Sequence, residues 1–302
     1  MSGERKLGQD HPYYDWLPIT KRPPLRWPNN ARVALAVILN LEHWDWQLPA
    51  DDPAAPAGAF RPDLSGYSQH EYGNRVGAFR ILKILDKYGI KPTISMDKMV
   101  AENYPYLAQE VKRRNLEVIA HGTSARQAIH YKMSVDTERA YIRESIEAVT
   151  KATGKQPIGW LSPGFAESMN TPNLLAAEGI RYVCDWANDE QPYRMKVSQG
   201  ELFSIGVNLD LDDDYIHATG QRLITEYADG IKDTFDAFYN DGAKSGRMMV
   251  INVHPWIMGW PWRSKYLDLA LAHINKSGAG VWKASGHEIL DWYSAHENVA
   301  RG

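Results

Sequence analysis

Val33-Ala34-Leu35-Ala36-Val37-Ile38-Leu39 is an unbroken apolar run, and Asn40-Leu41-Glu42-His43-Trp44-Asp45-Trp46 comes directly after it. The run is rich in β-branched and aliphatic side chains and too short for a free-standing helix. It reads as a strand buried on both faces, as in parallel sheets and barrel walls. The abrupt change of polarity at its C-terminal end puts acid, imidazole and indole groups at the strand mouth, where α/β proteins build active sites. A charged loop capping a core strand is the plainer alternative. Polar groups among large aromatics, however, are poised for perturbed protonation.

The chain has 302 residues, 44% hydrophobic and 24% charged, which describes an ordinary globular protein. A net charge of -3 carries no electrostatic footprint for nucleic acid. Cys184 is the single cysteine, which excludes an internal disulfide framework and any multi-cysteine metal cluster. The first residues show no apolar signal segment and no stretch reaches membrane-spanning length, so a cytoplasmic protein with no membrane partner is expected. Eleven Trp and sixteen Tyr exceed what core packing requires and suggest an aromatic pocket, a subunit interface, or both. A homodimer or homotetramer is the expected assembly.

Around the first strand, residues 1–30 carry five prolines and read as an extended arm, with one domain over 31–296 and a tail at 297–302. Residues 47–70 lack a regular pattern and read as a long loop, a candidate lid. Val76, Phe79, Leu82 and Leu85 fall at helical spacing in a helix over 71–88, stopped at Gly89. Strands are predicted at Pro92–Met96, Leu116–Ala120, Ile158–Leu161, Arg181–Asp185, Glu201–Val207, Met248–Val253 and Val281–Ala284. Helices alternate with them, one capped by Asp97 and a long one capped by Ser134 and closed by Gly154. This alternation without a composition break predicts one α/β domain, a barrel or a distorted barrel.

The strands end in residues capable of chemistry: Glu42-His43, Asp97, His121-Gly122-Thr123-Ser124, Ser162-Pro163-Gly164, Asp185-Trp186 with Asn188 and Asp189, and His254-Pro255-Trp256. In a parallel barrel these positions converge on one rim. Any one of them alone is more often a packing histidine or a helix cap; their recurrence at strand after strand points to catalysis. Asp210, Asp212, Asp213 and Asp214 resemble a hard-cation site, but an exposed acidic loop is the favoured reading, with a contribution to the pocket rim as the lesser alternative.

From about Trp27 to Tyr293 the chain resembles the polysaccharide deacetylases, the NodB-homology or carbohydrate esterase family four proteins, and within them the allantoinase-like branch that acts on small amides. Leu39-Asn-Leu-Glu-His43 sits where the family carries an Asp-Asp motif, and Glu71-Tyr-Gly-Asn-Arg75 is similar to the branch's next helix. Ala120–Ser124, Gly159–Gly164, Asp185–Pro192 and Val253–Pro255 stand for its second to fifth motifs, and Val281–Ile289 for its closing strand and helix. The resemblance implies a single distorted (β/α) barrel, seven-stranded rather than eight.

Two departures stand out. Classical members hold a divalent metal with an Asp and two His four residues apart; here the residue four after His121 is Ala125, and His130 lies nine residues on. The Asp-Asp pair is also missing. A metal, zinc first, would have to use Glu42, His121 and a further group such as His254; allantoinase-like relatives work without the full triad. The expected reaction is hydrolysis of a C–N bond in a small, non-peptide amide, open-chain or cyclic, with Glu42 as base, His254 as acid and His121 orienting water or polarising the carbonyl. His43, Arg75, Asp97, Ser162, Gly164, Trp186, Asn188, Asp189 and Trp256 are the candidate substrate contacts; Arg75 is as well placed to pair with Glu42 or Asp97. The alternatives are a metal-dependent deacetylase of N-acetylated sugars and an inactive ligand-binding barrel.

Overall fold

A computed structural model describes residues 8, 10–46 and 62–300. Among the described residues, nine strands form one sheet: β1 Val33–Leu41, β2 Thr93–Met96, β3 Glu117–Ala120, β4 Gly159–Trp160, β5 Tyr182–Val183, β6 Tyr193–Met195, β7 Leu202–Ser204, β8 Arg247–Val253 and β9 Val281–Lys283. The order is β6-β7-β5-β4-β3-β2-β1-β8. All neighbours along it are parallel except β6, which runs antiparallel to β7. One edge of β1 is shared, Val33–Leu35 pairing with β9 and Ile38–Leu41 with β2. The path therefore holds seven parallel strands in the curled α/β barrel expected. The segment after β7 meets β8 at an isolated parallel bridge, Asp212 to Asn252.

β1 is buried at every position, and its period of two sorts the side chains. Val33, Leu35, Val37, Leu39 and Leu41 face the surrounding helices with Ile81, Leu85, Phe235 and Leu267. Ala34, Ala36 and Ile38 face the barrel interior with Tyr182, Phe203, Met248 and Val250. Burial of each aliphatic side chain contributes roughly 1.5–3 kcal/mol, which is why this strand has two neighbours along most of its length. The interior series continues through Asn40 to Glu42, and on β8 through Asn252 to His254.

The caps obey local chemistry. Asp97 accepts the Val100 N–H, Ser134 accepts the Thr137 N–H at the start of helix Val135–Thr153, and Gly154 closes that helix at φ 77°. Three expectations need correction. Helix Leu64–Tyr72 begins inside the stretch read as loop, because Asp63 caps it through the Gly66 N–H; the rest of that loop, 47–61, lies outside the described residues. Strand β6 is an addition to the predicted set, since Tyr193-Arg194-Met195 is too short to show alternation. The acidic loop is exposed only in part: Asp210 is exposed, but Asp212 and Asp213 are buried. Among the described residues, no helix is long and apolar enough to cross a membrane.

Candidate active site

Glu42, His121 and His254 arrive from the ends of β1, β3 and β8 and meet at the C-terminal rim. Glu42 Oε1 lies 3.1 Å from His121 Nε2, and Glu42 Oε2 lies 3.9 Å from His254 Nε2. His121 Nδ1 donates to the Leu161 carbonyl at 2.6 Å. With that proton claimed, the contact to Glu42 is a hydrogen bond only when Nε2 is protonated too. Glu42 Oε1 is thereby engaged and Oε2 is the oxygen left facing the cavity.

His254 is held from behind by Asp213. Its ring Nδ1 lies 2.7 Å from Asp213 Oδ1, and its backbone N–H is 3.0 Å from both carboxylate oxygens. Burial pulls the His254 ring toward neutrality, but the carboxylates of Glu42 and then Asp213 outweigh it and push its pKa well above the ordinary value. Burial likewise raises Glu42, yet the His254 charge and the His121 hydrogen bond bring it down to about 2. Asp213 rises to about 6, mainly through burial, against the pull of His254. The resting site is an ion pair with its third member buried behind it.

A π-helical turn, Gly73–Gly77, carries Asn74, whose Nδ2 donates to the Glu42 carbonyl at 2.8 Å and fixes the chain leaving β1. His70, one turn earlier, stacks on Trp44 with centroids 3.8 Å apart and against Trp256 at 4.0 Å. Arg126 lies over the Trp44 ring at 4.8 Å. These aromatic groups wall the site.

The other expected substrate contacts divide. Trp256 and His43 flank the site: His43 Nδ1 is 3.3 Å from the Tyr104 hydroxyl. Asp97 is fully buried and accepts the His43 N–H at 2.5 Å and the Val100 N–H at 2.6 Å, so it shapes the β1 loop from beneath. Its pKa stands well above the carboxylate range through burial first and then the nearby Glu42 and Asp45. The Ser162 N–H is spent on Asp185 Oδ1 at 2.8 Å, and its hydroxyl accepts from Trp160. Gly164 is exposed on a 3-10 turn. Arg75 is exposed and pairs with neither Glu42 nor Asp97. Trp186 donates to Glu167 at 3.1 Å and packs against His11, Tyr13 and Tyr14 of the arm. Asp189 is bound to Arg22, and Asn188 accepts from Tyr193. These last two line a groove of about 1180 Å³ beside the arm, whose lining does not include Glu42, His121 or His254. His130 is exposed and accepts the Lys132 N–H.

Sequence reading missed His70 and set Asp213 aside as part of a surface loop. Asp213 lies 41 positions before His254 in a loop that composition alone marks as surface. His70 precedes the predicted helix by one residue, and nothing in the spacing distinguishes it.

Among the described residues, Asp212, Asp213 and His254 are the group with metal-ligand spacing, their ligand atoms lying within 4.8 Å of one another. Its carboxylate oxygens already accept N–H donors: Asp212 from Tyr215 and Asn252, and Asp213 from His254. That donor set fits a cationic His254 better than a divalent ion. Glu42 and His121 offer one oxygen and one nitrogen, short of the three protein ligands of a catalytic zinc.

A parallel half-barrel with an acid, a carboxylate-backed histidine and a second histidine on its C-terminal rim defines a hydrolase architecture. Residues 68–183 match the family model described as polysaccharide deacetylase. Over that stretch the chain is similar to the polysaccharide deacetylases, and relatives that span most of its length carry the same description. A Schizosaccharomyces pombe protein named "Putative polysaccharide deacetylase" is 27% identical over 89% of this chain and 92% of its own. The crystal structure of Puue allantoinase superposes with a TM-score of 0.79 at 28% identity, over 91% of this chain and 94% of that one. A Pseudomonas aeruginosa structure titled "probable Polysaccharide deacetylase" gives 0.79 at 27%, over 91% and 95%.

Proposed function

We propose that the protein hydrolyses the C–N bond of a small cyclic amide, with Glu42 as base and His254 as acid. The observation that carries this reading is the line Asp213–His254···Glu42–His121, broken only by the 3.9 Å gap between His254 Nε2 and Glu42 Oε2. That gap is too long for a direct hydrogen bond and lets one water donate to Glu42 Oε2 while the scissile nitrogen approaches His254 Nε2. The water oxygen adds to the carbonyl carbon as its proton passes to Glu42 Oε2. The C–N bond then breaks as the nitrogen takes the proton from His254 Nε2, leaving a carboxylic acid and an amine.

The first transfer helps the second. The charge on Glu42 is what most raises the His254 pKa, so once Glu42 has taken the water proton His254 becomes a better acid for the step in which the nitrogen leaves. The enclosure of the site by Trp44, His70 and Trp256 favours a compact planar substrate, and the allantoinase neighbour supports a ureide ring. The family match over 68–183 favours a second reading, removal of acetyl groups from N-acetylated sugars. Assays with allantoin, simple cyclic amides and N-acetylglucosamine oligomers, with metal content measured alongside, separate the two. Turnover of the ureide, undiminished by a chelator, is expected; activity confined to the acetylated sugars, or to none of these, would discard the proposal.

A further inference from the structure

His70 is a buried polar group near the site that the hydrolysis mechanism does not use. Its Nδ1 lies 2.8 Å from the Gly66 carbonyl, an acceptor only, so Nδ1 carries the proton. The residue is only 6% exposed, and Nε2 has no hydrogen-bond partner among the described residues. Burial, the largest influence, lowers its pKa to about 4, so near neutral pH the ring is uncharged and Nε2 is a lone-pair acceptor.

The position is built. Trp44 and Trp256 each stand two residues beyond a reacting group, Glu42 and His254, and they clamp the two faces of the His70 ring. With Nδ1 turned back to its own helix and both faces covered, Nε2 is left on the remaining edge, buried and without a donor, within electrostatic reach of Glu42 and His254. A buried acceptor without a donor costs about 1–3 kcal/mol, a cost that a bound donor removes.

We propose that His70 is a specificity residue whose Nε2 accepts a hydrogen bond from an N–H of the amide substrate. The inference rests on the proposed hydrolase function and extends it to the chemistry of the substrate: the molecule must present an N–H beside the bond that breaks. A site built to pair a substrate N–H rejects the analogue lacking it, because its own acceptor is then left buried and bare.

The test compares kcat/KM for allantoin and for its singly N-methylated forms. In the unaltered protein, methylation at one nitrogen should cut kcat/KM by on the order of 10⁴-fold, the discrimination such sites achieve. His70→Phe keeps a flat ring between the two indoles and removes the acceptor; it should bring allantoin down to the level of that methylated form and shrink the discrimination to about threefold. His70→Gln, which offers an amide oxygen, should recover part of it. Tolerance of methylation at every nitrogen, or a His70→Phe protein that still discriminates as before, overturns the inference while the hydrolase function stands. The methylation series decides by itself if the variant folds poorly. Turnover of none of these ureides overturns both together.

Discussion

At the scale of single residues, the site works through one charged pair and the carboxylate behind it. Glu42→Gln and His254→Ala should each lower kcat by roughly 10² to 10⁴, the usual cost of losing a general acid or base, with circular dichroism unchanged. The double variant should fall short of the product, since the two act in one proton relay. Asp213→Asn separates support from chemistry. His254 must be protonated to act as acid, so activity is lost as pH rises through its raised pKa; weakening the Asp213 contact lowers that pKa and moves the alkaline limb of kcat to lower pH. The same shifts govern stability. Glu42, depressed to about 2, contributes stability that is present above the unfolded value of about 4.3 and lost as pH falls through 2. His254, raised, contributes stability present below about 6.5 and lost as pH rises through its folded value. The pair should stabilise the fold most between about pH 4.5 and 6.5, and Glu42→Gln should flatten that maximum in urea titrations across the range.

At the scale of elements, the π-helical turn Gly73–Gly77 lies flush against the short helix Pro255–Met258 that continues from His254. A Cβ on Gly73 would stand 2.6 Å from the Trp256 nitrogen, and one on Gly77 would collide with the Pro255 carbonyl. Gly77→Ala should therefore destabilise by about 1–3 kcal/mol, as overpacking does, and should also lower kcat, because the displaced helix begins at His254. Ser134→Ala is the matching control. It removes the cap of helix Val135–Thr153, should cost about 1 kcal/mol in chemical denaturation, and should leave kcat unchanged.

At the scale of the whole molecule, the barrel is completed by side chains where its backbone pairing fails. Asn40 Nδ2 donates to Asn252 Oδ1 at 2.8 Å, and Asn252 Nδ2 donates to Asp212 Oδ2 at 2.6 Å, tying β1, β8 and the acidic loop across the interior. Asn252→Leu would leave Asp212 buried without that donor, at a cost of about 1–3 kcal/mol or more for a charged acceptor. Because Asp213 is the next residue, activity should fall with stability, whereas a surface substitution would move neither. The expected homo-oligomer is checked by light scattering; a monomer at micromolar concentration would discard it.

The residues themselves determined more of the architecture than of the site. The apolar run Val33–Leu39 has one low-energy use, a doubly buried parallel strand, and the caps Asp97 and Ser134 are decided within three residues of chain. The strand-end positions of Glu42, His121 and His254 were legible because a period of two aims every second side chain of a strand into the barrel. Composition could not show that Asp213 is buried: an acidic run is normally hydrated, and only the tertiary structure folds that loop inward, bridging Asp212 to Asn252 and setting Asp213 against His254. Nor could it separate Asp189, claimed by Arg22 of the arm, from a rim acid facing the reaction. His70 is the sharpest case, because its role depends on two indoles, Trp44 after β1 and Trp256 after β8, brought together from opposite ends of the chain, a separation that no local pattern spans.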